Sequence, residues 1–375
     1  MFNRKLRQHI YKISKRNILT TYRELGLSRV AVATGMYLWM LLVRFSMVLD
    51  QFFFPNINKI NIKQPIFIMG AGRTGSTFLY RLINRHNDYV ASKFWHILIP
   101  SLTLRVLLHP LIHFIERKES NVNYEVLGSG EGHKTTLTTF EEDEMVLGHI
   151  MDTQHLSFST SLGLHPDGFD ELVYHDQQPH RREAVKFLKA YLQRQIKFLK
   201  KNQVISKAVF STFRLKTLLE IFPDAKFIHL IRSPLDAIPS HMTLHKKVSE
   251  KFNPGVSSQA ISTFLKYRYR YNCEALLQFE NLRSQGIIDE KCFLEIRYED
   301  LRDNLEMTMN RIVDFTGINV DKDLQAHWEK QARRQKSYKP NHVNLSFEML
   351  EITPELIQQD LKQIFEKYNF KTNDQ

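Results

Sequence analysis

Residues 65–83, PIFIMGAGRTGSTFLYRLI, decide the fold. Pro65–Met69 is a short apolar run, the pattern of a strand buried on both faces. Gly70-Ala71-Gly72-Arg73-Thr74-Gly75-Ser76-Thr77 follows, and Phe78–Ile83 then carries apolar residues at helical spacing. A strand, a glycine loop and a helix in that order form an anion cradle: the glycines let backbone approach the ligand, helix-terminal N–H groups point at it, and Ser76 and Thr77 add hydroxyls. The nucleotide-triphosphate loop G-x-x-x-x-G-K-[ST] matches Gly70 and Gly75 in spacing, but Ser76 stands where it needs Lys. That weakens ATP or GTP hydrolysis as a function. A tight βα turn with no ligand is the plain structural alternative.

The same alternation recurs downstream. Gln203–Ser206 and Lys226–Ile231 read as strands, Phe213–Ile221 as a helix, and Ser233-Pro234 as a helix start, with Ser as cap and Pro in the first turn. Tyr89–Ala91 and Cys292–Ile296 are further strand candidates, whereas Pro100–Lys118, Arg181–Lys201, Ser257–Leu282, Tyr298–Phe315 and Pro354–Tyr368 read as helices. Such alternation implies a parallel sheet covered by helices. Asn121–Thr139 is a long Gly, Ser and Thr loop of a length that raises suspicion of function.

A second stretch, residues 222–240, FPDAKFIHLIRSPLDAIPS, places Arg232 at a strand end and Ser240 eight positions on. Arginine at the carboxyl end of a parallel strand sits where open α/β sheets bind ligands, and its guanidinium can grip a phosphate bidentately. The rival reading is a simple pair between Arg232 and Asp236 one helical turn away. Together the two stretches resemble the sulfotransferases. The first is similar to the loop R-[ST]-G-[ST]-T by which that family holds the 5′-phosphosulfate of 3′-phosphoadenosine 5′-phosphosulfate (PAPS), and the second to its 3′-phosphate element. The resemblance extends to Lys207, placed like the Lys of a K-S-P-x-H segment in the bacterial and lipid-acting branch, and to Tyr298-Glu299-Asp300-Leu301, which matches that branch's Y-E-D-L. Val209 and Ser211 replace its Pro and His.

The resemblance implies an α/β three-layer sandwich with a central parallel sheet, a P-loop-like phosphosulfate-binding loop and helical insertions. It also implies a sulfonate transfer from PAPS to a hydroxyl, with no metal. Donor contacts are then expected from Gly72, Arg73, Thr74, Gly75, Ser76, Thr77, Lys207, Arg232 and Ser240. Arg73 also faces the charge that develops on the transferring group; being always protonated, it donates hydrogen bonds rather than a proton. Three residues are candidates for the base: His96 in Phe94-Trp95-His96, His133 in the long loop, and Glu142 in Glu141-Glu142-Asp143-Glu144. Histidine needs little tuning for that task, while a carboxylate needs its pKa raised. Each histidine has an ordinary structural role as its alternative, and the acidic run has a solvated first helical turn.

The remaining signal is at the N-terminus. Of the net charge of +12 in 375 residues, residues 1–30 hold +7, from eight Lys/Arg against Glu24. Val30–Val43 then carries no charge, and the apolar pattern continues through Phe45–Leu49 to Phe52-Phe53-Phe54. Residues 1–55 are therefore expected to form a helical segment attracted to an anionic membrane surface, separate from a sulfotransferase domain over 65–370. The favoured arrangement is a helix lying in the interface with Arg44 and Asp50 in water; a core helix and a true span are the alternatives. A basic arm for nucleic acid is the less favoured reading. Two cysteines, Cys273 and Cys292, support neither a disulfide framework nor a Cys-based zinc site and fit a reducing compartment. The expectation is a cytoplasmic enzyme, peripheral or monotopic at the membrane, acting on an amphipathic or lipid-like acceptor. A P-loop phosphotransferase and a non-catalytic nucleotide-binding protein at the membrane are the alternatives.

Overall fold

The computed structural model describes residues 2–85, 89–119, 127–128, 134–335 and 343–371. Its centre is a sheet of four parallel strands, β1 (Ile66–Gly70), β2 (Ile205–Lys207), β3 (Lys226–Ile231) and β4 (Phe293–Arg297), in the order β2-β1-β3-β4. Ile66 lies between Ile205 and Lys226, and Leu230 lies beside Ile296. Every residue of β1 is buried. Because side chains alternate along a strand, Phe67 and Met69 enter one core with Phe227, whereas Ile66 and Ile68 enter another with Ile228 and Leu230. Two cores on opposite faces make three layers, and the expected α/β class with a central parallel sheet is borne out.

The Tyr89–Ala91 strand shrinks to one bridge, Val90 to Val204, that extends the sheet edge. Three expected helices are each broken in two. Pro100–Lys118 becomes Leu102–Leu107 and His109–Glu119, Tyr298–Phe315 becomes Tyr298–Asp303 and Leu305–Thr316, and Pro354–Tyr368 becomes Pro354–Asp360 and Lys362–Tyr368. Asn304 leaves helical geometry at φ −128° and ψ 44°, which apolar periodicity does not register. Within the long loop, Leu127–Gly128 pairs antiparallel with Lys134–Thr135.

The N-terminal segment is a helical hairpin. Helix α1 (Arg4–Leu25) and helix α2 (Leu27–Phe53) meet at Gly26, whose φ of 78° favours glycine. Asn17 donates to the Tyr37 hydroxyl across the hairpin at 2.7 Å. Leu6, Val43 and Met47 join the same core as Phe67, and His9 Nε2 reaches the Met151 carbonyl at 2.9 Å. One face of the hairpin is thus built into the body. Asp50 corrects an expectation: it is fully buried, not in water, and its carboxylate accepts from Arg194 Nε at 2.8 Å, from Ser101 Oγ at 2.9 Å and from the Thr103 N–H at 2.7 Å. Those bonds satisfy a helix start and a buried guanidinium at once.

Candidate active site

All four strands end on the same side of the sheet, and the loop after β1 occupies that edge. Helix α3 (Ser76–Ile83) follows, its first turn preceded by Gly75 at φ 90° with no side-chain cap. Uncapped N–H groups there are free to meet an anion. Gly72 is required by proximity, since a Cβ on it would stand 2.5 Å from the His241 ring.

Cations converge on this loop from two other elements. Lys207, at the end of β2, is buried and donates to Thr77 Oγ1 at 2.8 Å. Arg232, just past β3, donates from Nη1 to the Arg73 carbonyl at 3.2 Å and lies 4.3 Å over the Tyr298 ring. Its contact with Asp236 is 3.7 Å long, and Asp236 is largely exposed, so the rival pairing is present but weak. Arg73 Nε donates to Ser240 Oγ at 3.1 Å. The two remote sequence stretches therefore touch: Arg73, Ser240 and Arg232 form one polar cluster above Ser76 and Thr77.

Arg73 and Arg232 of that cluster, with Ser76, Thr77 and Lys207, line one end of a cavity of about 1200 Å³. The other end is walled by the apolar Met36, Trp39 and Met40 of α2 and by Phe94 and Ile97, while Phe158 and Phe210 line the cavity beside His245 and His241. Glu142 stands between the two ends. Its Oε1 meets Lys207 Nζ at 3.0 Å and its Oε2 meets His155 Nε2 at 3.4 Å. Burial alone would raise its pKa, but the Lys207 ammonium and the hydrogen bonds from His155 and Lys207 hold it well below the usual carboxylate range.

The acidic run is not a solvated helical turn. All four members are buried, and each has its own polar partner. Glu141 meets Arg81 at 3.2 Å, Asp143 accepts from the Ser92 hydroxyl, and Glu144 lies 3.8 Å from Arg214. Burial pushes the Asp143 carboxyl up to about 7 and raises that of Glu144 despite Arg214. Identical residue types in sequence thus have opposite electrostatics in space.

The histidine candidates fare differently. His133 lies outside the described residues. His96 is buried off the cavity lining, where Nδ1 accepts from the Lys93 N–H at 3.2 Å and the ring packs against Trp95 and Phe198. Burial, reinforced by Arg105 and Lys93, pushes its pKa well down, and the structure does not bring His96 together with the loop. The imidazoles that do line the cavity are His327, His149, His155, His241 and His245. The last two lie one turn apart on the helix Pro234–Phe252, with ring centroids 4.0 Å apart. Burial lowers His241 to about 3 and His149 to about 4, so both are neutral near pH 7. Ser211, which replaces the branch's His, instead donates to Glu144 at 3.4 Å, and Val209 joins the cavity wall.

A model of the sulfotransferase family matches residues 65–322. The omega-hydroxy-beta-dihydromenaquinone-9 sulfotransferase Stf3 of Mycobacterium tuberculosis, and its counterpart in Mycobacterium bovis, are each 26% identical to this chain over 300 residues. Each alignment covers 78% of this chain and 72% of the relative. Among solved structures, sulfotransferase STF9 of Mycobacterium avium superposes with a TM-score of 0.76 at 15% identity, covering 99% of this chain and 93% of its own. Sulfotransferase STF1 of Mycobacterium tuberculosis gives a TM-score of 0.70 at 16% identity, covering 95% and 92%. The match to STF9 takes in the N-terminal hairpin, which the family model leaves out.

Proposed function

This chain belongs to the sulfotransferase family, and on that premise we propose that it moves a sulfonate from PAPS to the hydroxyl of a lipid-like acceptor at a membrane surface. The observation that carries the reading is the two-ended cavity: a cationic loop with an uncapped helix start at one end, and an apolar chamber walled partly by α2 at the other. Stf3, by its name, acts on a menaquinone-derived alcohol, and an apolar chamber fits an acceptor of that chemical kind. The lysine-bearing loop of a phosphotransferase is missing at Ser76.

In this reading the 5′-phosphosulfate lies on the N–H groups of Ser76 and Thr77, with Lys207 and Arg73 at its oxygens, and Arg232 with Ser240 takes the 3′-phosphate. The acceptor oxygen forms its bond to sulfur as the bond from sulfur to the 5′-phosphate oxygen breaks. The electron pair leaves on that phosphate oxygen, next to fixed positive charge. The acceptor proton passes to Glu142, whose Oε2 faces His155: its carboxylate is a poor base while Lys207 pairs with it and becomes a stronger one as Lys207 turns to the phosphosulfate oxygens. The test is a transfer assay with PAPS and a long-chain terminal alcohol, read by mass spectrometry as the sulfate ester. An ester formed from PAPS but not from ATP-derived phosphate is expected. A phosphate ester, or no ester from any hydroxylated lipid, would overturn the reading.

A further inference from the structure

We propose that the bilayer seats on a composite apolar platform made by two segments distant in sequence: the outer face of α2 and the outer faces of the helices Leu102–Leu107 and His109–Glu119. This rests on the reading of a lipid-like acceptor and says where its membrane lies. On α2, Leu38, Leu41, Phe45, Val48 and Phe52 recur at three- and four-residue steps and are all exposed, Phe52 by 81%. They form one stripe on the side opposite Val43, Met47 and Asp50, which are buried. On the second segment Val106, Leu107, Leu111 and Phe114 are exposed, Leu107 by 69%. Apolar residues exposed in such number on one side of a fold mark an interaction surface.

The two segments are held together rather than merely near. Asp50 of α2 accepts from the Leu102 and Thr103 N–H groups that begin the second segment, at 3.1 and 2.7 Å. The buried Arg194 locks that carboxylate from the other side. This tether also sets the orientation: α2 has the length and mean hydropathy of a span, with 28% of its most apolar window buried. A span would require the paired Asp50 and the α1 contacts to enter hydrocarbon. Lying flat keeps them in protein. The occupant is the headgroup–acyl boundary of an anionic bilayer, because Arg4, Lys5, Arg7, Lys15 and Arg23 are exposed on α1, packed beside α2. Val32, Ala33 and Met36 of the same α2 form the cavity wall, so a lipid hydroxyl leaving the bilayer needs no aqueous path to the site.

The experiment uses the full chain and sedimentation with vesicles of three parts phosphatidylcholine to one part phosphatidylglycerol. Val106→Glu with Leu107→Glu, and separately Phe45→Glu with Phe52→Glu, are each expected to weaken vesicle binding about tenfold or more. The thermal shift produced by adenosine 3′,5′-bisphosphate should stay unchanged and reports that the variants are folded. Should a glutamate pair misfold, Val106→Thr with Leu107→Asn is expected to weaken binding to a smaller, measurable extent. Unchanged binding by the folded 106/107 variants, with loss by the α2 pair, would leave α2 alone as the interface and overturn the composite platform. A wild type that ignores vesicles overturns it too, whether it is monomeric or forms a dimer that either pair dissociates; in the latter case the face belongs to a second copy. A transfer assay with a long-chain terminal alcohol in detergent separates the two ideas: transfer without vesicle binding sinks the platform only, and no transfer to any hydroxylated lipid sinks the underlying reading.

Discussion

The two ends of the cavity are built from opposite materials. At the donor end the charges are Arg73, Lys207 and Arg232, delivered by the loop and strand ends of the sheet, and their local sequence announces them. At the acceptor end the wall comes from α2 and from the segment around Phe94, assembled from distant parts of the chain. A site for a charged nucleotide is specified locally, because backbone N–H groups and a helix start do much of the binding. A site for an apolar group is specified by packing, and any of many sequences can supply it.

Removing Glu142, at the boundary between the ends, should have the largest effect. Glu142→Gln keeps the shape but cannot take the acceptor proton, and turnover is expected to fall by about 10²–10⁴-fold, with vesicle binding unchanged. Activity near wild type would move the base elsewhere, with His155 the nearest alternative. Within the donor end, Arg73→Ala should cost about 10²–10³-fold in turnover at saturating PAPS. Arg232→Ala should act mainly by raising the donor KM, because it grips a phosphate remote from the reacting sulfur. Equal losses of turnover would merge the two roles.

A smaller effect distinguishes the ends by pH. His149 and His175 are lowered by burial to about 4, and His241 to about 3. A histidine whose folded pKa lies below its unfolded value contributes its stability above about pH 6.5 and loses it as pH falls towards the folded value. Each such group held neutral costs about 2 kcal/mol at pH 5. Asp143, raised to about 7, works the other way over the same window and offsets roughly one histidine. The melting temperature should therefore drop between pH 7 and pH 5; a rise would show that these imidazoles are charged in the folded protein.

Legibility followed the same division. The loop Gly70–Thr77, the strand Lys226–Ile231 and the helix start at Pro234 stand where their local patterns put them. Lys207 and Arg232 reach the loop, as their places at strand ends imply. What could not be read were pairings across long separations. Asp50 is buried only because Arg194 lies 144 positions away, and the acidic run is buried only because Arg81, Lys207 and Arg214 come to it. His155, His241 and His245 carry no motif; the one faint signal is that His241 follows Ser240 and recurs at His245 one turn later. His96 has a motif-like setting, and its ring packs against Trp95 and Phe198 away from the cavity lining.

The central claim is that two anion sites, read from stretches 155 positions apart between Thr77 and Arg232, hold one nucleotide. Calorimetric titration of the full chain with adenosine 3′,5′-bisphosphate, and in parallel with AMP, tests it most directly. Loss of the contacts to the 3′-phosphate should cost about 2–5 kcal/mol, so the bisphosphate is expected to bind at least about thirtyfold more tightly. Arg232→Ala should erase most of that difference. Equal affinities for the two nucleotides in the wild type would contradict the account.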